Sequence, residues 1–248
     1  MLLEELNVDV SVTAQEAGEK AGRAVEAKLV ELQSKQEEIR VIFAAAPSQD
    51  HMLSYLAKSE QIDWSKIVAF NMDEYIGLNR DADQLFSKYL ENRLFSKITP
   101  KAKFFIDPSA IVDDELLRIS KLIHEKPIDL VCLGIGQNGH IAFNDPPVAD
   151  FDDSYLIKKV ELDEVCRMQQ VVDKCFDTIN SVPTHALTLT IPTIMNANSL
   201  FCVVVGAHKR EAVMHTLSSA ISTAWPSTIL RKHKDCWFFF DQAACPEV

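Results

Sequence analysis

The chain has 248 residues, of which 47% are hydrophobic and 25% are charged, as is typical of a globular protein with a substantial core. The formal net charge of -11 disfavours nucleic-acid binding, which requires clustered Lys and Arg. An anionic small molecule is still compatible with this charge, because a few local cations or helix N-termini can bind one phosphate group.

No targeting or membrane segment is predicted. Residues 1–9 are acidic and lack a long apolar stretch, and no apolar run in the chain approaches membrane-spanning length. The 6 cysteines include no C-x-x-C pair, so neither a zinc ribbon nor a thioredoxin-type site is predicted. We therefore expect a reduced, cytoplasmic protein.

Hydrophobic patterning predicts alternating strands and helices. Thr13 and Glu16 have the spacing of a capping box, and the apolar residues that follow, up to Leu32, have a helical period. The further predicted elements are a strand at 41–44, a helix through about Lys58, a strand at 67–70, helices within 83–95 and at 113–125, strands at 130–133, 186–189 and 201–205, a helix at 209–219 and a strand at 237–240. This order predicts a three-layer, Rossmann-like α/β fold, with a mostly parallel sheet and helices on both faces. No repeat or linker interrupts the pattern, so one domain over residues 1–248 is expected.

Four polar segments follow predicted strands, at residues 47–49, 71–75, 134–146 and 206–209. Parallel strands present their carboxyl ends at one edge of a sheet, and ligands bind in the crevice beyond that edge. The sequence therefore predicts that these segments converge on one pocket.

Asp73 and Glu74 are adjacent carboxylates at a strand end. A carboxylate held in a partly dry cleft can act as a general base. A helix N-cap beside a solvated acid accounts for the same pattern, and spacing does not separate the two interpretations. Tyr75 would either pack beneath the cleft or form a hydrogen bond with a substrate.

The segment 134–146 combines three glycines with His140 and Asp145. The glycines let the backbone turn sharply and approach a ligand. A histidine oriented by a carboxylate can pass protons near neutral pH, although a histidine satisfied by nearby backbone is the alternative. No metal site is predicted, since no second His or Cys stands at ligand spacing. The glycines match a dinucleotide fingerprint by letter, but Pro146 and Pro147 would interrupt the helix that carries the pyrophosphate, so no nucleotide cofactor is expected.

Ser48 and Lys209 lie where predicted helices begin after strands. A hydroxyl and free N–H groups at such a position can bind phosphate. A plain N-cap at Ser48 and a solvated cation at Lys209 are the alternatives.

Two segments carry a family resemblance. Residues 71–78, Asn-Met-Asp-Glu-Tyr-Ile-Gly-Leu, and residues 134–146 resemble the two signature segments of the glucosamine-6-phosphate deaminases (isomerases), and the strand spacing is similar along nearly the whole chain. The resemblance implies a ketose–aldose isomerisation coupled to loss of ammonia. Glucosamine 6-phosphate, or galactosamine 6-phosphate, would yield the ketose 6-phosphate and ammonia without a cofactor.

The resemblance also implies roles for single residues. Asp73 would move a proton between C2 and C1, and His140 would assist ring opening together with Asp145, which stands where the family has Glu. The residues expected to bind the substrate are Ser48, Gln49, Gly136, Gly139, Arg167 and Lys209.

The chain departs from the family pattern at several of these places. Asn138 stands where the family has Asp, and its amide can orient the imidazole but cannot carry a negative charge. Residues 44–49, with Pro47 lacking an N–H, replace a glycine-rich phosphate loop. Gln-Gln-Val at 169–171 replaces an Arg before a Phe pair, and Arg167 is close enough in sequence to compensate. We expect a divergent branch, with altered substrate stereochemistry or weaker deamination.

Two alternative functions stay open. The 6-phosphogluconolactonases are similar in fold but tend to Asp-Glu-Arg where this chain has residues 73–75, and they typically lack the Phe143–Asn144 pair. A non-catalytic sugar-phosphate sensor would normally carry a basic helix-turn-helix segment, which this chain lacks. The expected partner is a small amino-sugar phosphate, with no nucleic acid and no membrane, and a homo-oligomer is left open.

Overall fold

The computed structural model describes residues 6–162, 164–172 and 175–245, and its centre is a seven-stranded parallel sheet. The strands of the chain are β1 (Asn7–Ser11), β2 (Ile39–Phe43), β3 (Ile67–Asn71), β4 (Asp73–Tyr75), β5 (Ala102–Lys103), β6 (Leu130–Leu133), β7 (Ile157–Glu161), β8 (His185–Leu189), β9 (Ser199–Val204) and β10 (Cys236–Asp241). The large sheet has the order β1-β10-β9-β6-β2-β3-β5. The predicted α/β fold with a mostly parallel sheet is confirmed.

Helices cover both faces of this sheet. They are α1 (Ala14–Gln33), α2 (Asp50–Leu56), α3 (Phe86–Leu90), α4 (Val112–Glu125), α5 (Glu164–Val172), α6 (Ile191–Met195) and α7 (Arg210–Ser218). A π-helical turn, Glu91–Phe95, extends α3, and 3-10 turns at Pro47–Gln49 and Ala207–Lys209 lead into α2 and α7. Successive residues of the central strands belong to the two separate apolar clusters, as in Val41 and Ile42, because side chains alternate across a strand.

The strand order reverses between β2 and β6. After β2 the chain adds β3 and β5 on one side, and after β6 it adds β9 and β10 on the other. The crevice beyond the carboxyl ends of the strands at such a switch point is where open α/β sheets bind ligands. The turns that follow β2 and β6 contain Ser48 and His140.

One predicted strand lies outside the parallel sheet. The strand predicted at 186–189 is β8, which pairs antiparallel with β4 and with β7 in a separate three-stranded sheet. The patterning missed β4 because it has only three residues, and it missed β7 because Lys158 and Lys159 break its apolar run. The prediction of a mostly parallel sheet therefore holds, and β8 is the predicted strand that lies outside it.

No helix in the described ranges combines the length and the apolar character needed to cross a membrane. The assignment of residues 1–248 to one domain stays a prediction.

Helix α1 supports the turn that carries Ser48. Its predicted cap is present, because Thr13 Oγ1 accepts a hydrogen bond from the Glu16 N–H at 3.2 Å. The helix then packs against α2 through Gly18, where an added Cβ would lie 2.5 Å from the Cβ of His51 and 3.1 Å from the Met52 nitrogen. The missing side chain lets the two backbones approach closely.

We expect Gly18→Ala to lower the free energy of unfolding by about 1 kcal/mol. Forcing a methyl group into this contact costs ~1–3 kcal/mol, and the better helix propensity of Ala returns ~1 kcal/mol. Chemical denaturation measures the change, and Ala27→Gly at an exposed position of α1 calibrates the propensity term. A Gly18→Ala variant more stable than the parent would contradict this packing.

Candidate active site

A cavity of about 640 Å³ opens at the carboxyl edge of the parallel sheet. Each of the four predicted polar segments contributes to its wall, through Ser48, Asp73, Gly136, His140 and Lys209. These residues are far apart in sequence, and the parallel strands bring them together. Their chemical roles stay predictions.

Asp73 is held at the sharp turn from β3 into β4. The Asn71 side chain fixes this turn, since its Nδ2 donates to the Asp73 carbonyl at 2.9 Å and its Oδ1 accepts from the Ile106 N–H at 2.9 Å. The backbone of Asp73 pairs with Thr188 on β8. The side chain is buried and still reaches the cavity wall.

The pKa of the Asp73 carboxyl is raised well above its usual range. Burial is the largest cause, and the neighbouring charges of Glu74 and Asp145 raise it further. A carboxyl in such surroundings takes up and releases protons at a higher pH than an ordinary aspartate does. This property suits a general base that must also return its proton.

Glu74 lies on the other side of β4 and caps a helix. Its carboxylate accepts hydrogen bonds from the N–H groups of Tyr75, Phe86 and Ser87 at 2.8 to 3.0 Å, the last two at the start of α3. Burial raises the pKa of Glu74, and these N–H groups oppose that shift. Of the two interpretations of the carboxylate pair, Glu74 fits the helix cap and Asp73 fits the cleft carboxylate.

His140 is oriented by Asp145, and Asn138 is bonded to both. His140 Nδ1 lies 3.0 Å from Asp145 Oδ1, and the Asn138 Nδ2 group donates to the same oxygen at 2.8 Å. Asn138 Oδ1 accepts from the His140 N–H at 3.1 Å. Asn138 therefore orients the imidazole through the carboxylate, and an Asp at this position would place a second negative charge beside Asp145.

Strand β8 anchors the loop that carries His140. Thr188 Oγ1 accepts from the Phe143 N–H at 3.1 Å, and Asn144 Nδ2 donates to the Leu189 carbonyl at 2.9 Å. Thr188 therefore contacts the histidine loop through its side chain and Asp73 through its backbone. Sequence reasoning missed Thr188, because a threonine in a strand carries no signal of such a role.

Gly136 leaves the space that the imidazole occupies. A Cβ built on Gly136 would lie 2.2 to 2.3 Å from Cε1, Nδ1 and Nε2 of His140. The Gly136 N–H also donates to the His140 carbonyl at 2.9 Å, which closes the loop around the ring. A glycine is therefore required at position 136 for the imidazole ring of His140 to lie this close to the backbone.

Some predicted substrate-binding residues do not line the cavity. Gln49 is buried, and its Nε2 donates to Ser48 Oγ and to the carbonyls of Leu133 and Val203. Gly139, with a φ of 81°, packs against Trp225. Arg167 donates from Nη2 to the carbonyls of Ile179 and Val182, so its expected compensation for the missing family Arg is not supported.

Other residues line the cavity that the sequence did not single out. They are His51, Tyr89, Gln170 and His208, among others. Tyr75 lies behind this wall, where its ring packs against Phe86, Phe143 and Phe176 and its hydroxyl donates to Gln170 Oε1 at 2.8 Å. Of the two roles considered for Tyr75, packing beneath the cleft is the one observed.

The fold and this cavity define an α/β enzyme with acid–base side chains at the switch point of a parallel sheet. The chain belongs to the family described as glucosamine-6-phosphate isomerases/6-phosphogluconolactonase, whose model matches residues 12–238. The family resemblance predicted from the two signature segments is confirmed.

Relatives and solved structures agree with this membership. The chain is 36% identical to a glucosamine-6-phosphate deaminase of Exiguobacterium sp. over 193 residues, 75% of this chain and 72% of the relative. It is 32% identical to the Bacillus thuringiensis deaminase over 240 residues, 96% and 88% of the two chains. A solved monomeric glucosamine-6-phosphate deaminase superposes with a TM-score of 0.89 at 28% identity, covering 97% of this chain and 99% of its own. The 6-phosphogluconolactonase of Thermotoga maritima gives 0.76 at 17% identity, covering 94% and 98%, which shows a shared fold alone.

We expect Gly136→Ala to break the hydrogen bond between His140 and Asp145 without unfolding the protein. The added methyl group collides with a side-chain ring that can swing away, so the histidine moves and the backbone stays. The readout is the His140 Cε1–H resonance in the proton NMR spectrum, assigned by its loss in His140→Gln.

Gly77→Ala is the matched control for this variant. Gly77 has a φ of 89°, so the substitution introduces backbone strain, but an added Cβ has no atom within 4 Å. The His140 resonance should shift in Gly136→Ala and stay in place in Gly77→Ala. An unshifted resonance in Gly136→Ala would show that the ring does not occupy this position.

Proposed function

We propose that this chain is an amino-sugar 6-phosphate deaminase that converts glucosamine 6-phosphate, or galactosamine 6-phosphate, into the ketose 6-phosphate and ammonia. The observation that carries the proposal is that Asp73 and the His140–Asp145 pair share one cavity with Ser48 and Lys209. Relatives at 32% and 36% identity that are named as glucosamine-6-phosphate deaminases support the same activity.

Ring opening is the first step of the proposed reaction. The anomeric hydroxyl loses a proton, the ring oxygen gains one, and the bond between C1 and the ring oxygen breaks. His140 is the group that carries this proton, because Asp145 holds its Nδ1 and leaves the rest of the ring at the cavity wall. The imidazole is thereby fixed in one orientation.

Asp73 then acts on the open-chain sugar. It takes the proton from C2 while the C1 oxygen is protonated, and this produces an enolamine. The proton returns to C1, which leaves an imine at C2. Water adds at C2 and ammonia leaves, so the ketose forms. The raised pKa of Asp73 supports both halves of this transfer, since the carboxyl must accept and then release the same proton.

Ser48 and Lys209 are the proposed phosphate ligands. Lys209 is buried in the cavity wall, and a charge-assisted hydrogen bond from such a lysine is stronger there than at an open surface. Gln49 Nε2 donates to Ser48 Oγ at 2.9 Å, so the Ser48 hydroxyl can direct its hydrogen at an anion.

A lactone hydrolase is the second candidate, because the family description includes 6-phosphogluconolactonases. It needs water activated next to a carbonyl and no proton transfer between adjacent carbons. The buried aromatic Tyr75, in place of the lactonases' arginine, favours the deaminase. A cytoplasmic location stays a prediction.

The decisive experiment measures ammonia release from the 6-phosphates of glucosamine, galactosamine and mannosamine, with 6-phosphogluconolactone hydrolysis in parallel. We expect turnover of at least one amino sugar, and a loss of about 100-fold or more in kcat for Asp73→Asn. Hydrolysis of the lactone alone would establish the second candidate. Tight binding without turnover of any compound would indicate a sensor.

The same Asp73→Asn variant should be at least as stable as the parent near neutral pH. An aspartate has an ordinary pKa of about 3.9, and the folded state raises the pKa of Asp73. The stability that this carboxyl contributes is therefore fully present below about pH 3.9 and is lost as pH rises through the pKa of the folded state. Asn carries no charge to bury, so its advantage in thermal melting should shrink toward about pH 4. A marked loss of stability at neutral pH would mean that the carboxylate is a structural group.

We expect Lys209→Ala to raise KM by about tenfold or more while lowering kcat much less. A hydrogen bond to a charged group contributes ~1.5–3 kcal/mol, and this one would form equally in the ground state and the transition state. Lys58→Ala removes an exposed lysine of the surface as the matched control. An unchanged KM would count against the phosphate role of Lys209.

A further inference from the structure

Two turns on either side of β6 have the same construction. After β2 and after β9, the chain makes a 3-10 turn and then enters a helix. Each turn places one predicted phosphate ligand at the cavity wall, Ser48 in the first and Lys209 in the second. Each unit also places an imidazole on that wall, His51 from the first turn of α2 and His208 from the turn before α7.

Gln49 holds the two turns in a fixed relation across β6. Its Nε2 group donates to the carbonyls of Leu133 and Val203, both at 3.2 Å, and to Ser48 Oγ at 2.9 Å. The Leu133 carbonyl is at the end of β6 and the Val203 carbonyl is near the end of β9, so one buried amide links the turn after β2 to both strands. Gly134 leaves room for both side chains, since a Cβ there would lie 3.2 Å from Ser48 Oγ and 3.3 Å from Gln49 Nε2.

Each histidine lies against a glycine, His208 through its ring and His51 through its Cβ. A Cβ on Gly206, whose φ is 95°, would lie 2.7 Å from Cε1 and 2.9 Å from Nδ1 of His208. The Cβ of His51 occupies the space left by Gly18 on α1. Both histidines are solvent-exposed, so a ligand in the cavity can reach them.

The negative charges around the cavity oppose the binding of an anion, so an anion bound there needs further hydrogen-bond donors. Asp73 and Asp83 also line the wall, and the chain as a whole has a formal net charge of -11. Lys209 is the lysine among the described residues of the wall, and no arginine accompanies it there. An imidazole donates one N–H when neutral and two when protonated, so a histidine can supply a donor in either state.

We propose that His51 and His208 bind the phosphate of the substrate together with Ser48 and Lys209. The site then has two matching halves, each with a ligand from the 3-10 turn and an imidazole beside it. This inference deepens the proposed function and rests on it for the sugar, whereas the phosphate site itself can be tested without turnover.

The test is binding of inorganic phosphate to the full chain, measured by isothermal titration calorimetry. The variants are His51→Gln, His208→Gln and the double variant, and His124→Gln removes an exposed histidine from α4, away from this cavity, as the control. We expect each single variant to weaken phosphate binding at least threefold, the double variant to weaken it further, and the control to match the parent.

Kinetics then separate a phosphate role from a general loss of fit. With an amino-sugar 6-phosphate, the histidine variants should raise KM by a larger factor than they lower kcat. With the unphosphorylated amino sugar, kcat/KM should change less than twofold.

Unaltered phosphate binding in the double variant would overturn the inference, as would a parent protein that does not bind phosphate at millimolar concentration. A protein that binds phosphate through these histidines but releases no ammonia would refute the deaminase proposal and leave the phosphate site standing.

Discussion

The site depends on the pairing of β8 with β4. This contact lies outside the parallel sheet, and it ties Asp73 to the loop that carries His140. Thr188 is the residue common to both connections, through its backbone register with Asp73 and its hydroxyl contact with the Phe143 N–H. Because Thr188 makes both contacts, a shift of this strand would change the spacing between the Asp73 carboxyl and the imidazole. The small antiparallel sheet therefore positions two side chains of the cavity wall.

The cavity concentrates groups that would be unfavourable elsewhere. Asp73 is buried close enough to Asp145 for the second charge to raise its pKa, and the protein uses β4, β8 and Asn71 to keep it there. Asn138 reduces this accumulation of negative charge, because it is a neutral donor to Asp145 where the family pattern has a carboxylate. The departures from the family are thus coupled: a shorter acid at 145 is accompanied by an amide that bonds to it. Unfavourable buried charge at a site, offset by the surrounding fold, is common in enzymes.

Several elements could be predicted from the sequence, and others could not. The strands β2, β3, β6, β9 and β10 are within two residues of their predicted bounds, because each contains a run of apolar residues that is almost entirely buried. The elements that patterning missed are β1, β4, β5, β7, α5 and α6, which are short or carry charged residues. The predicted cluster at one sheet edge followed from the rule that parallel strands end together. The neighbours His51 and His208 gave no comparable signal, because single histidines near helix starts are ordinary surface residues.

The sequence by itself determined the α/β fold, the edge of the sheet at which the polar segments meet and the family to which the chain belongs. These properties depend on the period of the apolar residues, on the order of strands along the chain and on two contiguous segments. All three can be read directly from the amino-acid sequence. The tertiary structure decided which of the adjacent carboxylates faces the cavity and which caps α3. It also decided that Arg167 bonds to backbone carbonyls and that Asn138 acts through Asp145. Those outcomes depend on contacts between residues distant in sequence, and the free energy of such contacts is set by burial and geometry that a linear pattern does not encode.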